Sequence, residues 1–240
     1  MVQYIDNIFY PKTEAVIISP TQLINTLKIL SQGLGITISL FFIVIFLSIP
    51  LGLVLTFMSN SKLGIRTRRG AEIYPLRWLA RGFVFLMRGT PLMLQLLFVY
   101  FGLPYIGIVL ERFPAACVAF VLNYAAYFCE IFRGGIKSID PGQYEAAQVL
   151  GLRKFATTIK IVLPQMIRVA IPSVCNETVN LIKDTALVTT LGLADLMHMT
   201  KSLVNSLANV TPFAVAAVIY MVLIFGLSKI FSILEKKTTY

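Results

Sequence analysis

An uncharged apolar run from Gly35 to Met58 limits most strongly what this chain can fold into. A helix crosses the hydrocarbon core of a bilayer with about 20 apolar residues, and this run is longer than that. The composition agrees, since 57% of the residues are hydrophobic and 13% are charged, whereas soluble domains have about 45–50% and about 25%. Because lipid offers the backbone no hydrogen-bond partners, the run predicts a spanning helix.

Four further apolar segments follow, and they make about five transmembrane helices in an all-α membrane protein. They are predicted at residues 83–103, 113–132, 169–193 and 212–234. Before the first span, a helix start at Ser19-Pro20 is followed by Leu23, Leu27, Leu30 and Leu34. This stripe predicts a short amphipathic helix, either on the membrane surface or against the bundle. We therefore divide the chain into an N-terminal segment, residues 1–32, and a transmembrane domain, residues 33–237.

The basic residues predict the orientation of the spans. Fifteen of the 21 Lys and Arg residues lie in segments 59–82 and 133–168 and in the tail from Lys229, and four lie on the opposite side. Short loops rich in Lys and Arg stay in the cytoplasm, so the N-terminus is predicted outside and the C-terminus inside. The same distribution explains the net charge of +10 without a nucleic-acid partner.

A polar stretch at residues 137–164 interrupts the apolar sequence and is predicted to hold two short helices. Asp140 can cap the first helix with Pro141 at its first position, and Gly151 can end it. Pro164 is expected to bend or restart the chain at the membrane. The second helix has an apolar face made of Leu152, Phe155, Ala156, Ile159, Val162 and Leu163. From its residues alone, the stretch is either an interfacial loop or a docking element for another protein.

The fourth predicted span carries a polar stripe on one helical face. At about 100° per residue, the stripe contains Ser173, Asn176, Glu177, Asn180, Lys183 and Asp184. Ionisable groups at bilayer depth normally face a partner or a wet cavity. The stripe therefore predicts either a hydrated substrate path or an internal ion pair of Lys183 with Glu177 or Asp184. Unwinding at Pro172 would distort it, and Gln95 of the second span is expected to face the same interior.

The polar stretch at residues 137–164 resembles the EAA motif of the membrane subunits of ATP-binding cassette (ABC) importers, and we call it the coupling loop after the role that this resemblance implies. The matching residues are Glu145-Ala146-Ala147, Gly151 and Ile161-x-Leu163-Pro164, at the family spacing. Other segments are similar to the polar-amino-acid branch of that family. They are Arg88-Gly89-Thr90-Pro91-Leu92 with Gln95, Tyr100, Phe101 and Gly102, then Glu130 to Ile136, and Lys183-Asp184-Thr185. Ala186 departs from the pattern, because many relatives have serine there.

This resemblance implies a permease subunit of the type I importer fold in the bacterial cytoplasmic membrane. Its partners would be two ABC ATPase subunits, a second permease chain of the same or a related kind, and an extracytoplasmic amino-acid-binding protein. ATP and magnesium would be held by the ATPases, and this chain would bind no cofactor or metal. The ATPase contact is expected at Tyr144, Glu145, Ala146, Ala147, Gly151, Leu152 and Arg153. Acids at the positions of Glu177 and Asp184 would contact a polar or basic amino acid, such as arginine, lysine, histidine, glutamine or cystine.

Two other functions remain open from the residues themselves. An ion-driven carrier or channel could use Glu177, Lys183 and Asp184 as a relay, and a non-transporting scaffold would not need these charges at all. His198, the only histidine, has no second ligand at metal-binding spacing. Because the sequence contains no phosphate-binding Gly-rich loop, the chain is not expected to hydrolyse ATP.

Overall fold

A computed structural model describes residues 20–61, 63–66 and 72–238 of the chain. Within these ranges the protein is a helical bundle, which confirms the predicted all-α class. The helices are α1 (Pro20–Ser59), α2 (Pro75–Gly89), α3 (Leu92–Leu97), α4 (Arg112–Lys137), α5 (Pro141–Val149), α6 (Lys154–Thr157), α7 (Leu163–Asp184), α8 (Leu196–Leu207) and α9 (Thr211–Thr238). A two-residue hairpin, β1 (Ile65–Arg66) and β2 (Glu72–Ile73), precedes α2. The predicted cap Ser19 lies outside the described residues.

Helix α1 is one continuous helix of 40 residues, so the prediction of a separate amphipathic helix before the first span is wrong. The buried positions recur every three or four residues along it, from Thr26 and Leu30 through Thr37 and Leu40. Leu23 and Leu27 of the predicted stripe are exposed instead. Since the same face stays buried on both sides of residue 34, packing favours continuation of the helix there. The predicted division at residues 32–33 falls inside α1.

The second predicted span is bent. Helix α2 ends at Gly89, and the segment from Leu92 to Ile106 leaves it at an angle of 106°. That segment contains α3, a π-helical turn over Phe98–Gly102 and a 3-10 turn over Leu103–Ile106. Pro91 cannot donate a backbone hydrogen bond, and its ψ of 136° is extended rather than helical at the break. Among the described residues, four helices are long and apolar enough to span a membrane, and the bent pair can supply a fifth.

Helix α4 lies at the centre of the bundle and packs against α1, α2, α3 and α7. Its closest approach is to α1 at Gly52, where an added Cβ atom would lie 2.8 Å from Cβ of Phe128. The hydroxyl of Thr56 donates to the carbonyl of Cys129 at 3.2 Å across the same contact. A small residue in α1 therefore brings α4 close enough for backbone groups to interact.

Near Pro164, where a bend or a restart was predicted, the chain stays helical and a new α-helix, α7, begins at Leu163. A π-helical turn over Thr158–Val162 joins α6 to α7, and the N–H of Leu163 donates to the carbonyl of Thr158. The wider turn comes directly before Pro164, which has no N–H for the regular pattern. Helix α7 also stays intact at Pro172. After Asp184 the chain tightens into a 3-10 helix, Thr185–Leu191.

Helix α8 contacts the N-terminal half of α1. Its first N–H, from Leu196, donates to the hydroxyl of Thr37 at 3.2 Å. The Cβ that Gly33 lacks would stand 2.6 Å from the carbonyl oxygen of Asp195. Asp195 is fully buried and caps α8 through the N–H groups of Met197 and His198. Burial raises the pKa of the Asp195 carboxyl, and the two N–H groups oppose that rise.

Candidate functional site

A cavity of about 790 Å³ lies between α2, α3, α4 and α7, and it brings together four residues of the predicted polar stripe. Its charged residues are two acids, Glu177 and Asp184, and two bases, Arg88 and Lys183. The remaining lining residues are Gly89, Thr90, Pro91, Leu92, Met93, Asn123, Tyr124, Tyr127, Asn180 and Leu187. The cavity is thus polar, of a size typical for small-molecule sites, and built around the break between α2 and α3.

Asp184 is held by a residue from the middle of α4. The hydroxyl of Tyr124 donates to Oδ2 of Asp184 at 2.7 Å. Tyr124 is the thirteenth of the 26 residues of α4, so this contact lies near the midpoint of a spanning helix. Only 1% of the tyrosine surface is exposed, which fixes the hydroxyl in place. One carboxylate oxygen of Asp184 is therefore oriented at bilayer depth by an internal donor.

The predicted internal ion pair of Lys183 does not form. Among the described residues, no carboxylate lies within 4.0 Å of the Lys183 ammonium group. The side chain is exposed at the cavity wall, with Glu177 and Asp184 half-buried on the same wall. The lysine charge therefore remains available to an anionic group that enters the cavity.

The other cavity base, Arg88, forms an ion pair with a carboxylate outside the cavity. Its Nη1 atom lies 3.5 Å from Oε2 of Glu130, and its guanidinium carbon lies 5.2 Å from the ring centroid of Tyr127. Glu130 also accepts from Arg133, three residues further along α4, at 2.9 Å for the Nε–Oε1 bond. Glu130 therefore lies between one arginine of its own helix and Arg88 of α2.

Gln95 lies behind the cavity wall and stabilises the break between α2 and α3. Its side-chain N–H₂ donates to the carbonyls of Met87 and Thr90 at 2.8 and 3.1 Å and to the Thr90 hydroxyl at 2.7 Å. Its carbonyl accepts from the Asn123 amide at 3.0 Å, and that amide also donates to Met87. The two buried amides thereby satisfy backbone carbonyls that the end of α2 leaves free. Gln95 is not among the cavity-lining residues.

Two residues of the predicted stripe lie away from the cavity. Ser173 and Asn176 are exposed and do not line it. The sequence analysis missed the contributions of Asn123, Tyr124 and Tyr127 on α4. Asn123, Tyr127 and Glu130 are spaced i, i+4 and i+7, so a search for polar helical faces in the third span would have found that side of the wall.

The coupling loop has the two-helix geometry that its sequence predicts. Asp140 caps α5 by accepting from the N–H of Gly142 at 2.6 Å. Gly151 follows the helix with φ of +69°. The N–H of Leu152 donates to the Ala147 carbonyl, and the N–H of Gly151 donates to the Gln148 carbonyl, both at 3.0 Å. This pair of bonds is the Schellman motif, which requires a left-handed residue at the position of Gly151.

The apolar face predicted for the second helix is only partly buried. Phe155 and Ile159 are 79% and 43% exposed, whereas Thr157 and Val162 are buried. Thr157 and Val162 are five residues apart across the π-helical turn, so the buried face differs from the one predicted with regular α-helical spacing. On α5, only Ala147 is buried, and Tyr144, Glu145 and Ala146 are exposed. Gly151 and Arg153 are also exposed, and Leu152 is half-buried.

Exposed apolar residues therefore cluster at the turn between α5 and α6. Val149, Leu150 and Phe155 are 88%, 76% and 79% exposed. Helix α5 makes few contacts with the bundle, apart from buried Ala147 and a 3.3 Å bond from Gln165 to Gln143. A contiguous apolar surface on a polar loop is typical of a protein-interaction site.

Comparison with known proteins places these features in a family. Residues 74–240 match the model of the "binding-protein-dependent transport system inner membrane component" family. The arginine transport system permease protein ArtQ of Bacillus subtilis is 37% identical over 208 residues, covering 86% of this chain and 90% of that protein. The L-cystine transport system permease protein TcyB of Bacillus subtilis is 34% identical over 197 residues, covering 80% and 84%.

A solved structure has the same fold. It is described as the "crystal structure of an amino acid ABC transporter with histidines", and it aligns with a TM-score of 0.82 at 29% identity, covering 92% of this chain and all of the other. The family match covers more than half of the chain and includes both the cavity and the coupling loop. The chain therefore belongs to the inner membrane components of binding-protein-dependent transport systems, the multi-pass permease subunits of ABC importers.

Proposed function

We propose that this chain is the permease of an ATP-driven importer for a cationic amino acid, and that the cavity at the α2–α3 break holds the substrate during transport. The proposal rests above all on the charge arrangement of the cavity. Relatives named for arginine, cystine and glutamine transport, and a neighbour described as an amino acid ABC transporter, support an amino-acid substrate, and the arginine name agrees with a cationic one.

The charges of the cavity suit an amino acid that carries one net positive charge. Arg88 is already paired with Glu130, which lies outside the cavity. Lys183 then remains for the α-carboxylate, and Glu177 and Asp184 remain for two cationic groups. An amino acid with a basic side chain supplies one carboxylate and two cations. A neutral amino acid would leave one acid unpaired at bilayer depth, which is unfavourable.

We infer further that the coupling loop is the contact with the ATPase. Its apolar turn at Val149, Leu150 and Phe155 is exposed on the predicted cytoplasmic side, where water would cover it in an isolated chain. Two ATPases, a second permease chain and an external binding protein would complete the transporter. Closure of the ATPases on ATP would move the coupling loops together, and α6 continues into α7, which carries Glu177 and Asp184.

The test is uptake by the assembled transporter in proteoliposomes, with arginine and glutamine as competing probes. Asp184→Asn should lower arginine uptake about tenfold or more, because a hydrogen bond to a charged group contributes about 1.5–3 kcal/mol. Glutamine uptake should fall less. Glu111→Gln makes the same chemical change at the start of α4, outside the cavity, and should leave both rates unchanged.

The same assay separates the proposal from its alternatives. Uptake that follows a proton gradient and ignores ATP would replace the importer with an ion-driven carrier. If Asp184→Asn lowers the uptake rates of arginine and glutamine equally, the charge of Asp184 does not select a cationic substrate. Phe155→Asp should abolish the stimulation of ATP hydrolysis by substrate. Leu63→Asp is the matched control and should leave that stimulation unchanged, because Leu63 is also apolar and exposed (71%) on the predicted cytoplasmic side.

A further inference from the structure

A second groove, separate from the substrate cavity, runs along the outer face of α2. It has a volume of about 460 Å³ and is lined by Tyr74, Arg77, Trp78, Arg81, Gly82 and Phe85. These positions recur at spacings of three and four residues, so they form one continuous face of the helix. The groove combines two arginines with three aromatic side chains at the end of a helix that enters the membrane.

The two arginines of this groove have no acidic partner. Among the described residues, no carboxylate lies within 4.0 Å of the guanidinium group of Arg77 or Arg81. Glu72 is the only acid in the sequence between residues 15 and 110. Its Oε2 atom accepts a hydrogen bond from the hydroxyl of Tyr74. The groove therefore has an unbalanced positive charge, and guanidinium groups match phosphate oxygens in geometry.

The part of the groove around Gly82 is apolar and open. Trp78 and Phe85 are 73% and 81% exposed, and they border Gly82 on the same helix. A Cβ atom added at Gly82 would have no neighbour within 4 Å. The glycine thus leaves a notch in which an alkyl chain can lie against the helix. Arginine and aromatic side chains at this level are typical of the membrane interface, where charged ends face the headgroups and rings face the acyl region.

We propose that this groove binds an anionic phospholipid of the leaflet on the side of β1 and β2. The phosphate lies between Arg77 and Arg81, and one acyl chain runs over Gly82 between Trp78 and Phe85. The predicted orientation places this side in the cytoplasm, where the leaflet surface is negative and attracts basic residues near a transmembrane helix. Because α2 ends at the break that borders the substrate cavity, lipid binding stabilises the helix that carries Arg88.

Lipid binding to the full chain can be measured by native mass spectrometry with added phosphatidylglycerol or phosphatidylcholine. The double variant Arg77→Gln/Arg81→Gln should bind phosphatidylglycerol about 30-fold more weakly, at about fivefold for each basic residue. The matched control Lys160→Gln/Arg168→Gln removes two exposed positive charges from the same predicted side and should bind normally. Arg77→Lys/Arg81→Lys should recover part of the affinity, since lysine keeps the charge and loses the bidentate geometry.

A second variant tests the notch without changing any charge. Gly82→Leu fills the space beside Trp78 and Phe85, and it should weaken phosphatidylglycerol binding while leaving the fold intact. Equal weakening in the arginine variant and its control would reduce the effect to net charge and overturn the site. The proposal also fails if the chain binds both lipids equally. A loss of permease pairing in the same spectra, with lipid binding unchanged, would assign the face to a second permease chain instead.

Discussion

The cavity at the α2–α3 break and the coupling loop differ in where their polar and apolar groups find partners. In and behind the cavity wall, side chains from different helices satisfy one another, as with Tyr124 and Asp184 or Gln95 and Asn123. In the coupling loop, apolar side chains are exposed and local capping bonds end α5. The cavity is therefore ordered by its own bundle, whereas the exposed apolar surface of the loop is of the kind that protein partners bury.

This difference predicts how the two regions respond to substitution. Changes in the loop should abolish coupling without unfolding the bundle, because the loop contributes little to the core. Changes behind the cavity should lower stability as well as transport, because the same residues hold the helices.

Gly151→Pro should abolish ATP-dependent uptake. Proline has φ near −65°, whereas Gly151 has φ of +69° and donates its N–H to Gln148. Gly151→Asn is the matched control, because asparagine tolerates the left-handed region and should retain most of the uptake. The measurement is uptake together with ATP hydrolysis in proteoliposomes. Coupled transport by the proline variant would show that the loop geometry is dispensable.

Lys183→Gln should lower uptake of arginine and glutamine by a similar factor, about tenfold, because the α-carboxylate is common to both substrates. Asp184→Asn, in contrast, should affect arginine more than glutamine. The ratio of the two uptake rates therefore distinguishes the two charges of the cavity. If Lys183→Gln changes only one substrate, the lysine does not bind the α-carboxylate.

Gln95→Leu should destabilise the bundle by about 1–3 kcal/mol, because the Thr90 carbonyl loses its side-chain donor and the Met87 carbonyl keeps only the Asn123 amide. Thermal unfolding in detergent would measure this as a lower midpoint. Gln32→Leu is the control, since Gln32 lies on the exposed face of α1. An unchanged midpoint in Gln95→Leu would mean that the amide network does not hold the break.

Asp195 should give the smallest effect, visible only as a pH dependence. Burial raises its folded-state pKa above the unfolded value, so the folded protein binds the proton more tightly. The contribution of this group to stability therefore decreases as pH rises from the unfolded pKa through the raised folded pKa. Asp195→Asn should remove that decrease, and unfolding midpoints measured across this pH window would detect the difference. The raised pKa of Asp195 would be contradicted if the wild-type unfolding midpoint rises with pH in this window and Asp195→Asn abolishes that rise.

Much of the local structure followed from short sequence patterns. Asp140-Pro141 and Gly151 predicted where α5 begins and ends, because caps and positive-φ glycines act over a few residues. The break after Gly89, in contrast, lies inside the single span that the sequence predicted at residues 83–103. Its 106° bend depends on Gln95 and Asn123, which lie 28 residues apart and bond across two helices.

The membrane class, the helical content and the family motif of the coupling loop could be predicted from sequence patterns, since all three depend on runs and spacings within one segment. The continuity of α1, the exposure of Phe155 and the pairing of Arg88 with Glu130 depend instead on how the helices pack. The tertiary structure also placed Tyr124 beside Asp184, 60 positions away in the chain. These contacts depend on which helical faces pack together, and helical periodicity specifies a face without naming the partner that covers it.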